Sequence, residues 1–336
     1  MNKAHEKILA VPTNIITGFL GVGKTSAILH LLKNKPANER WAVLVNEFGE
    51  IGVDGSLFEG QYTEEKGVYI QEVPGGCMCC ASGVPMQIAL NQLLLRAKPH
   101  RLLIEPTGLG HPVEVIQVLS NQYYKDILHL QKIITLVDAR NLADKRYTEH
   151  QTFNQQLAIA DVVVGNKLDL YHQQDQEKLA AYLSNSTSKT SQLYFIEHGQ
   201  IQLHWLNGST KHLTNTHHHA KHSTRKNNVS TGTIPDSGFV KAVNQGEGFY
   251  SVGWRFEAKQ VFNKESILTL LHQIDAIRVK AVIISEKGHY SVNITADSFN
   301  ETLLKGYTES RIEIICTTID ENWQRDILAT LIAKPT

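Results

Sequence analysis

The stretch "GFLGVGKTS", residues 18–26, decides the fold. It fits the pattern G-x-x-x-x-G-K-[ST], whose fixed positions are here Gly18, Gly23, Lys24 and Thr25. An apolar run, "NIIT" at residues 14–17, precedes it, and a helical pattern, "SAILHLLKN" at residues 26–34, follows it. Glycines at such a strand-to-helix turn let backbone N–H groups surround an anion at the helix N-terminus. The stretch therefore predicts a phosphate-binding loop.

The side chains of this loop predict a nucleotide site. Lys24 would reach the β- and γ-phosphates and support catalysis, and Thr25 would supply a hydroxyl to magnesium. Further contacts to the nucleotide are expected at Gly18, Gly21, Gly23 and Ser26. These residues do not distinguish ATP from GTP, so the base must be recognised elsewhere in the chain.

The stretch "VVVGNKLDL", residues 162–170, carries a candidate base-recognition motif. It matches the N-K-x-D motif of GTPases through Asn166, Lys167 and Asp169. A carboxylate can accept hydrogen bonds from both N1–H and the exocyclic amine of guanine, and adenine presents no such pair of donors. The alternative is a solvated aspartate at a polar strand end. Following a phosphate loop, the motif predicts GTP as the nucleotide.

Two segments between these motifs match the switch segments of GTPases. In "RLLIEPTGLGHP", residues 101–112, an apolar strand pattern ends at Glu105. Glu105 would hold magnesium through water or orient the attacking water, and the N–H of Gly108 would face the γ-phosphate; the alternative is an ordinary strand-to-loop turn. In "NEFGEIGVD", residues 46–54, Glu50 is a candidate metal ligand, although loop acids are more often solvated.

Three of the four cysteines lie in "EVPGGCMCCASG", residues 72–83. They are Cys77, Cys79 and Cys80. Sulfur ligands favour zinc, copper(I) or iron–sulfur clusters over magnesium or calcium. A closed zinc site has four ligands, so a fourth would come from elsewhere or stay open for transfer. The candidates for the fourth position are Glu47, Glu50 and His111. The alternatives are a C-x-x-C redox pair and buried small apolar side chains.

The overall composition excludes several classes of partner. Lysine plus arginine number 33 and aspartate plus glutamate also number 33, which gives no support for a nucleic-acid surface. No run approaches the roughly 18 apolar residues of a membrane span, and residues 1–19 are too polar for a secretory signal. We therefore expect a cytoplasmic protein, in which clustered thiols stay reduced and available to a metal.

The periodicity of the chain predicts two domains joined by a linker. Residues 1–206 alternate β-branched runs with helical patterns, which predicts an α/β P-loop NTPase fold with a mostly parallel sheet covered by helices. Residues 207–247 show no periodicity and predict a flexible linker. Its histidines, which would either collect metal ions or stay solvated, are His217, His218, His219 and His222. Residues 248–336 predict a small α+β domain with Cys316 in its core.

Five motifs, "GFLGVGKT", "NEFGE", "GGCMCC", "EPTGLGHP" and "NKLD", resemble in order and spacing the CobW-type family of P-loop GTPases, which is related to HypB and UreG. The resemblance covers the P-loop domain strongly and the C-terminal domain less specifically. Many members of the family read T-K-x-D where this chain has Asn166, and many have a longer histidine-rich tract.

The resemblance implies a slow, magnesium-dependent GTPase that binds zinc or a similar ion and delivers it to a client metalloprotein. The metal ligands carried over from the family motif are Cys77, Cys79 and Cys80. Alternative functions are a metal buffer or sensor with incidental GTPase activity, a C-x-x-C redox protein on a GTPase scaffold, and a role in cobalamin metabolism. The sequence names neither the client nor the physiological metal, and it is compatible with a homodimer.

Overall fold

The structure is a computed structural model of the chain. It describes residues 8–45, 64–73, 84–110, 112–185, 191–212, 234–235, 237–246, 248–295, 298–304 and 307–332. These residues form two units, which span 8–212 and 234–332. Within the described ranges, no helix combines the length and the apolar character needed to cross a bilayer.

The first unit contains an eight-stranded sheet in which every recorded strand pairing is parallel. Its strands are β1 (Val11–Gly18), β2 (Trp41–Val45), β3 (Val68–Glu72), β4 (Arg101–Glu105), β5 (Leu128–Leu130), β6 (Ile134–Val137), β7 (Val162–Gly165) and β8 (Gln192–Phe195). The order across the sheet is β3-β2-β4-β1-β6-β7-β8, and β5 pairs with β1.

Helices between these strands supply the cover that an all-parallel sheet requires. They are α1 (Lys24–Lys33), α2 (Val84–Ala97), α3 (Pro112–Leu119), α4 (Lys145–Thr148), α5 (Gln151–Ala158) and α6 (Gln173–Asn185). The continuous apolar strands are buried on both faces: each residue of β2 is exposed by 2% or less. The predicted α/β P-loop fold is therefore confirmed.

The topology brings the sequence motifs to one edge of the sheet. The phosphate loop follows β1, Glu105 ends β4, and Asn166 follows β7. Strand β1 lies between β4 and β6, and β7 lies beside β6. Since parallel strands all point the same way, these three segments leave the sheet at its carboxyl edge, where ligands of open α/β sheets bind.

The second unit is an antiparallel sheet with two helices. Its strands, in the order β13-β12-β11-β14-β10-β9, are β9 (Phe239–Gly246), β10 (Phe249–Glu257), β11 (Arg278–Ser285), β12 (Gly288–Thr295), β13 (Ser298–Leu304) and β14 (Glu309–Cys316). Its helices are α7 (Lys264–Gln273) and α8 (Trp323–Ala329). Asn263 caps α7, because its side chain accepts a hydrogen bond from Ser266 N–H. Cys316 is 1% exposed in the core, as predicted, and burial raises the pKa of its thiol.

The predicted linker, residues 207–247, is too long at both ends. At its C-terminal end, β9 pairs with β10 as a hairpin. This strand was not predicted, because it lies at the edge of the sheet, where several polar residues are tolerated. At its N-terminal end, Ser209 bridges to Gln131, and Lys211 N–H donates to Asp161 Oδ1 at 3.1 Å. The segment up to residue 212 therefore belongs to the first unit. Residues 213–233, with the histidine tract, lie outside the described part.

Candidate nucleotide-binding site

The phosphate loop requires glycine at its turning points. Gly18, Gly21 and Gly23 have φ values of 142°, 70° and 93°, in the region that L side chains rarely adopt. At Gly23, an added Cβ would lie 2.5 Å from Asn166 Nδ2. Gly23 is also the N-cap of α1 and has no side chain with which to cap the helix. The loop thus presents a helix N-terminus to the position where phosphates bind.

The Lys24 ammonium lies inside the loop. The residue is 6% exposed, and its Nζ donates to the carbonyl oxygens of Gly18 at 2.9 Å and Phe19 at 3.1 Å. A buried ammonium needs such partners to offset its lost hydration. The same position would let Lys24 exchange these carbonyls for the phosphate oxygens of a bound nucleotide.

Thr25 and Glu105 bring two oxygen atoms together beside Lys24. Thr25 Oγ1 donates to Glu105 Oε1 at 3.1 Å, although the two residues are 80 positions apart. Both side chains are buried, with Thr25 7% and Glu105 3% exposed. A hydroxyl and a carboxylate are hard oxygen ligands of the kind that magnesium prefers. The pair therefore fits a magnesium ion that would bridge to nucleotide phosphates.

Gly108 lies directly against the phosphate loop. A Cβ added there would lie 2.9 Å from Leu20 Cδ2, 3.0 Å from Leu20 N and 3.1 Å from Lys24 Nζ, so any larger residue would require these neighbours to shift. The carbonyl of Gly108 accepts a hydrogen bond from Gln156 Nε2 at 3.0 Å. The segment after β4 thus lies against the phosphate loop and is held there by α5.

Asn166 joins the phosphate loop to the segment after β8. Its Nδ2 donates to Val22 O at 2.8 Å, and its Oδ1 accepts from Gly199 N at 3.0 Å. The residue is 2% exposed. Because both ends of its amide bond to the protein, Asn166 holds the phosphate loop and the segment after β8 together.

The remaining residues of this motif, Lys167 and Asp169, are less buried than Asn166. Lys167 has φ 67°, and its Nζ lies 3.5 Å from Oδ2 of Asp138, a buried carboxylate that also accepts from Arg140 Nη2 at 2.6 Å. Asp169 is exposed. Its carboxylate lies in a group with Glu197 and His198 whose ligand atoms are within 4.8 Å of one another. An exposed carboxylate beside an ordered lysine is suited to receiving a base from solvent.

An aromatic cluster supports the phosphate loop from one side. The Phe19 ring packs edge-on against Tyr147, His150 and Phe153, with centroid distances of 5.1, 4.8 and 6.1 Å. Such contacts contribute about 0.5–1.5 kcal/mol each beyond burial. The cluster anchors the loop to α4 and α5, so the loop does not depend on its glycines alone for its shape.

A family model decides the relationship of the chain to known proteins. The model described as CobW/HypB/UreG, nucleotide-binding domain, matches residues 12–193. The chain belongs to this family. The predicted resemblance to the CobW-type family is thereby confirmed.

Individual relatives within the CobW/HypB/UreG family match over different lengths. The zinc chaperone YeiR of Escherichia coli K12 is 38% identical over 316 residues, which cover 93% of this chain and 94% of YeiR. The zinc chaperone CobW of Pseudomonas aeruginosa is 33% identical over 196 residues, 51% of each chain. Among solved structures, zinc-bound YjiA GTPase from E. coli aligns over 96% of this chain and 99% of its own, at 18% identity and a TM-score of 0.44.

Several predicted site residues of this CobW-type chain lie outside the described residues. They are Glu47, Glu50, Cys77, Cys79, Cys80, His111, His217, His218, His219 and His222. The structure brings together Lys24, Thr25, Glu105 and Gly108 at one place, and Asn166, Lys167 and Asp169 beside it.

Sequence reasoning missed three residues that support the site. Asp138 forms an ion pair with Lys167, the Gly199 N–H donates to Asn166 Oδ1, and Gln156 Nε2 donates to Gly108 O. For Gln156 a signal was present: it is spaced three after Phe153 and one before Leu157, on the apolar stripe of α5. A polar residue on such a stripe indicates a specific buried hydrogen bond.

Proposed function

We propose that this chain is a magnesium-dependent GTPase that binds zinc, or a similar transition ion, as cargo and delivers it to a client metalloprotein. The observation that carries the nucleotide half is the buried Thr25–Glu105 pair beside Lys24 Nζ and Gly108. The metal half is supported by the relatives, of which YeiR is named a zinc chaperone.

Hydrolysis would depend on the contacts that these residues make with the triphosphate. A magnesium ion held at Thr25, with Glu105 bound directly or through water, would neutralise charge on the β- and γ-phosphates. Lys24 adds a positive charge from within the loop, and the Gly108 N–H would donate to a γ-phosphate oxygen. Because positioning and charge stabilisation provide most of phosphoryl-transfer catalysis, this set is sufficient for slow turnover.

Guanine recognition is assigned to Asp169. Its carboxylate is exposed and can accept two hydrogen bonds from the base edge. Lys167, held by Asp138, would provide an alkyl wall for the ring. Asn166 fixes the distance between this motif and the phosphate loop, so that base and phosphates are recognised together.

Cargo binding is assigned to Cys77, Cys79 and Cys80. Three closely spaced thiolates suit zinc or copper(I), and a reducing cytosol, where we place the protein, keeps them available. Residues 74–83 follow β3 almost directly, and Glu72 at the end of β3 is in register with Val45, which is in register with Glu105. Glu72, near the last residue described before the cysteine segment, therefore lies about 10 Å, or two strand spacings, from Glu105.

Metal analysis of purified protein tests the cargo assignment. Protein purified under reducing conditions should contain about one equivalent of zinc, and changing Cys77, Cys79 and Cys80 together to serine should remove it. The control is Cys316→Ala, since this fourth cysteine is buried in the core of the second unit and should not affect the metal. Alanine is used because it adds no polar group to the apolar core of this unit.

Each result separates the proposal from its alternatives. Zinc retained by the triple variant would contradict the cysteine site. Metal-free wild-type protein with a reversible disulfide between Cys77 and Cys80 would favour the redox alternative. Acceleration of GTP turnover by an added client would favour delivery over buffering, because a buffer has no need to couple hydrolysis to a partner.

A further inference from the structure

Gln156 is a buried polar residue in contact with the second switch segment. It lies on α5 and is 1% exposed. Its side-chain Nε2 donates to Gly108 O at 3.0 Å, across 48 positions of sequence. Its backbone carbonyl accepts from Thr135 Oγ1 at 2.9 Å, which fixes this turn of α5 over β6. Gln156 thus connects β6, through its backbone, to the segment after β4, through its side chain.

The orientation of this amide follows from its partner. A carbonyl oxygen only accepts hydrogen bonds, so the group that faces Gly108 O must be the NH₂ of Gln156 and not its oxygen. Oε1 consequently points elsewhere, and among the residues that the structure describes it has no hydrogen-bond partner. Thr17 Oγ1, on the neighbouring strand in register with Thr135, is likewise buried without a partner in that part of the chain.

A glutamine with one unsatisfied end is a poor choice for stability alone. An apolar side chain of similar size would bury the same volume without an unpaired oxygen, and such replacements are often neutral or stabilising. The hydrogen bond from its NH₂ group to Gly108 O is therefore the reason for a glutamine at this position. Gly108 in turn lies against Leu20 N and Lys24 Nζ, the atoms that border the γ-phosphate position.

We propose that Gln156 is a positioning residue for the γ-phosphate: by holding the carbonyl of Gly108, it keeps that glycine beside Lys24, where its N–H can meet a triphosphate. The inference rests on the proposed GTPase function. It assigns no contact between Gln156 and the nucleotide. Helix α5 also contacts the phosphate loop, because Phe153 on the same helix packs against Phe19.

We expect a Gln156 variant to lose affinity for triphosphates but not for GDP. GDP has no γ-phosphate, so its affinity should not depend on Gly108. Gln156→Leu should weaken binding of a non-hydrolysable GTP analogue by about tenfold, the effect of one lost hydrogen bond, and slow GTP turnover similarly. GDP affinity should change by less than about twofold. A residue with only a structural role would lower both affinities together.

Gln156→Glu adds a second readout. As a carboxylate, Glu cannot donate to Gly108 O, and the two oxygens repel; when protonated, it can donate and restore the bond. Burial raises the pKa of such a carboxyl, so this variant should recover toward the wild-type analogue affinity as the pH falls from about 8 to about 6. Gln156→Leu should show no such recovery. The matched control is Gln155→Leu, the same change at the half-buried neighbouring position on α5.

The measurements are analogue and GDP titrations on the full-length chain with magnesium, together with melting temperatures of each variant. Equal losses for GDP and the analogue, or an effect of Gln155→Leu as large as that of Gln156→Leu, would overturn the positioning role. Wild-type protein that binds the analogue but never hydrolyses GTP would instead contradict the proposed GTPase function and leave the affinity comparison interpretable.

Discussion

Thr25 Oγ1 and Glu105 Oε1 lie 3.1 Å apart, which ties the first turn of α1 to the end of β4. Both side chains are buried, with only a few per cent of their surface exposed to water. The contact places a carboxylate at the point where the phosphate loop would receive magnesium. We therefore propose that Glu105, rather than an exposed acid, connects metal binding to hydrolysis.

Glu105→Gln should abolish most magnesium-dependent turnover. Glutamine keeps the shape and can still accept from Thr25, but it removes the charge that a divalent ion requires. We expect GTP hydrolysis to fall by about a hundredfold or more, with a smaller loss of GDP affinity measured without magnesium. Phosphate release from GTP is the measurement. Glu65→Gln, at an exposed position, is the control and should hydrolyse GTP at the normal rate. Near-normal turnover in Glu105→Gln would contradict the magnesium role of Glu105.

Asp169→Asn should change the base preference. The carboxylate accepts from two donors of guanine, whereas asparagine offers one acceptor and one donor group, which suits the 2-oxo group of xanthine. GTP affinity should fall on the order of a hundredfold, the value of two charge-assisted hydrogen bonds, and XTP affinity should rise. Competition titrations with GTP, XTP and ATP measure this, with Asp126→Asn at an exposed turn as the control. A variant that still strongly prefers GTP over XTP would contradict the assignment.

The phosphate loop was predictable because its chemistry is local. Gly18 to Thr25 lie on consecutive positions, and the strand and helix on either side are legible from short apolar patterns. The hydrogen bonds of Asn166, in contrast, were not predictable from the sequence. Its two partners, Val22 and Gly199, are 144 and 33 positions away, so the hydrogen bonds exist only once β1, β7 and β8 lie in one sheet.

In the second unit, less of the strand arrangement was predictable from the sequence. The alternating apolar residues of its central strands are visible in the sequence, but the edge strands β9 and β13 carry a weaker pattern. An edge strand pairs on one side only and tolerates polar and charged residues, so its pattern resembles a loop. The same property explains why the predicted linker extended through Phe239–Gly246.

Glu309 makes the second unit sensitive to acid. Burial raises the pKa of its carboxyl, but hydrogen bonds from Arg255 and Arg311, at 2.9 Å to Oε2 and 2.6 Å to Oε1, outweigh burial and hold the pKa below its ordinary value of 4.5. The folded state therefore binds this proton less readily than the unfolded state. The resulting stability is complete above pH 4.5 and is lost as the pH falls through the lower, folded-state pKa.

Glu309→Gln should accordingly destabilise the chain by about 1–3 kcal/mol at neutral pH, because two arginines lose a charged acceptor. The difference from wild type should shrink as the pH falls below 4.5. Thermal unfolding of the full chain followed by tryptophan fluorescence measures it, since Trp254 lies in the core of this unit. Glu265→Gln, an exposed partner of Lys287, should leave the melting temperature unchanged. A Glu309→Gln deficit that is equal at all pH values would contradict the ionic account.

The final prediction concerns coupling between cargo and nucleotide. Cys77, Cys79 and Cys80 lie between Glu50 and Glu105 in sequence, so ordering a switch around magnesium and the γ-phosphate should alter the geometry of the thiolates. Couplings of this kind are typically about 1–3 kcal/mol, or roughly 5- to 150-fold in affinity, and linkage makes them reciprocal. Whatever factor a GTP analogue imposes on zinc affinity, zinc must therefore impose on analogue affinity.

Four titrations form the test: zinc affinity with and without the analogue, and analogue affinity with and without zinc, all in reducing buffer. We expect equal factors in both directions, an effect that Cys79→Ser removes and that Cys316→Ala leaves intact, because only the former alters the proposed cargo site. Factors that never exceed about twofold would mean that the two ligands bind independently, since a ligand shifts an equilibrium only by its differential affinity for the two states. In that case GTP hydrolysis could not drive release of the metal, and delivery would have to depend on the client alone.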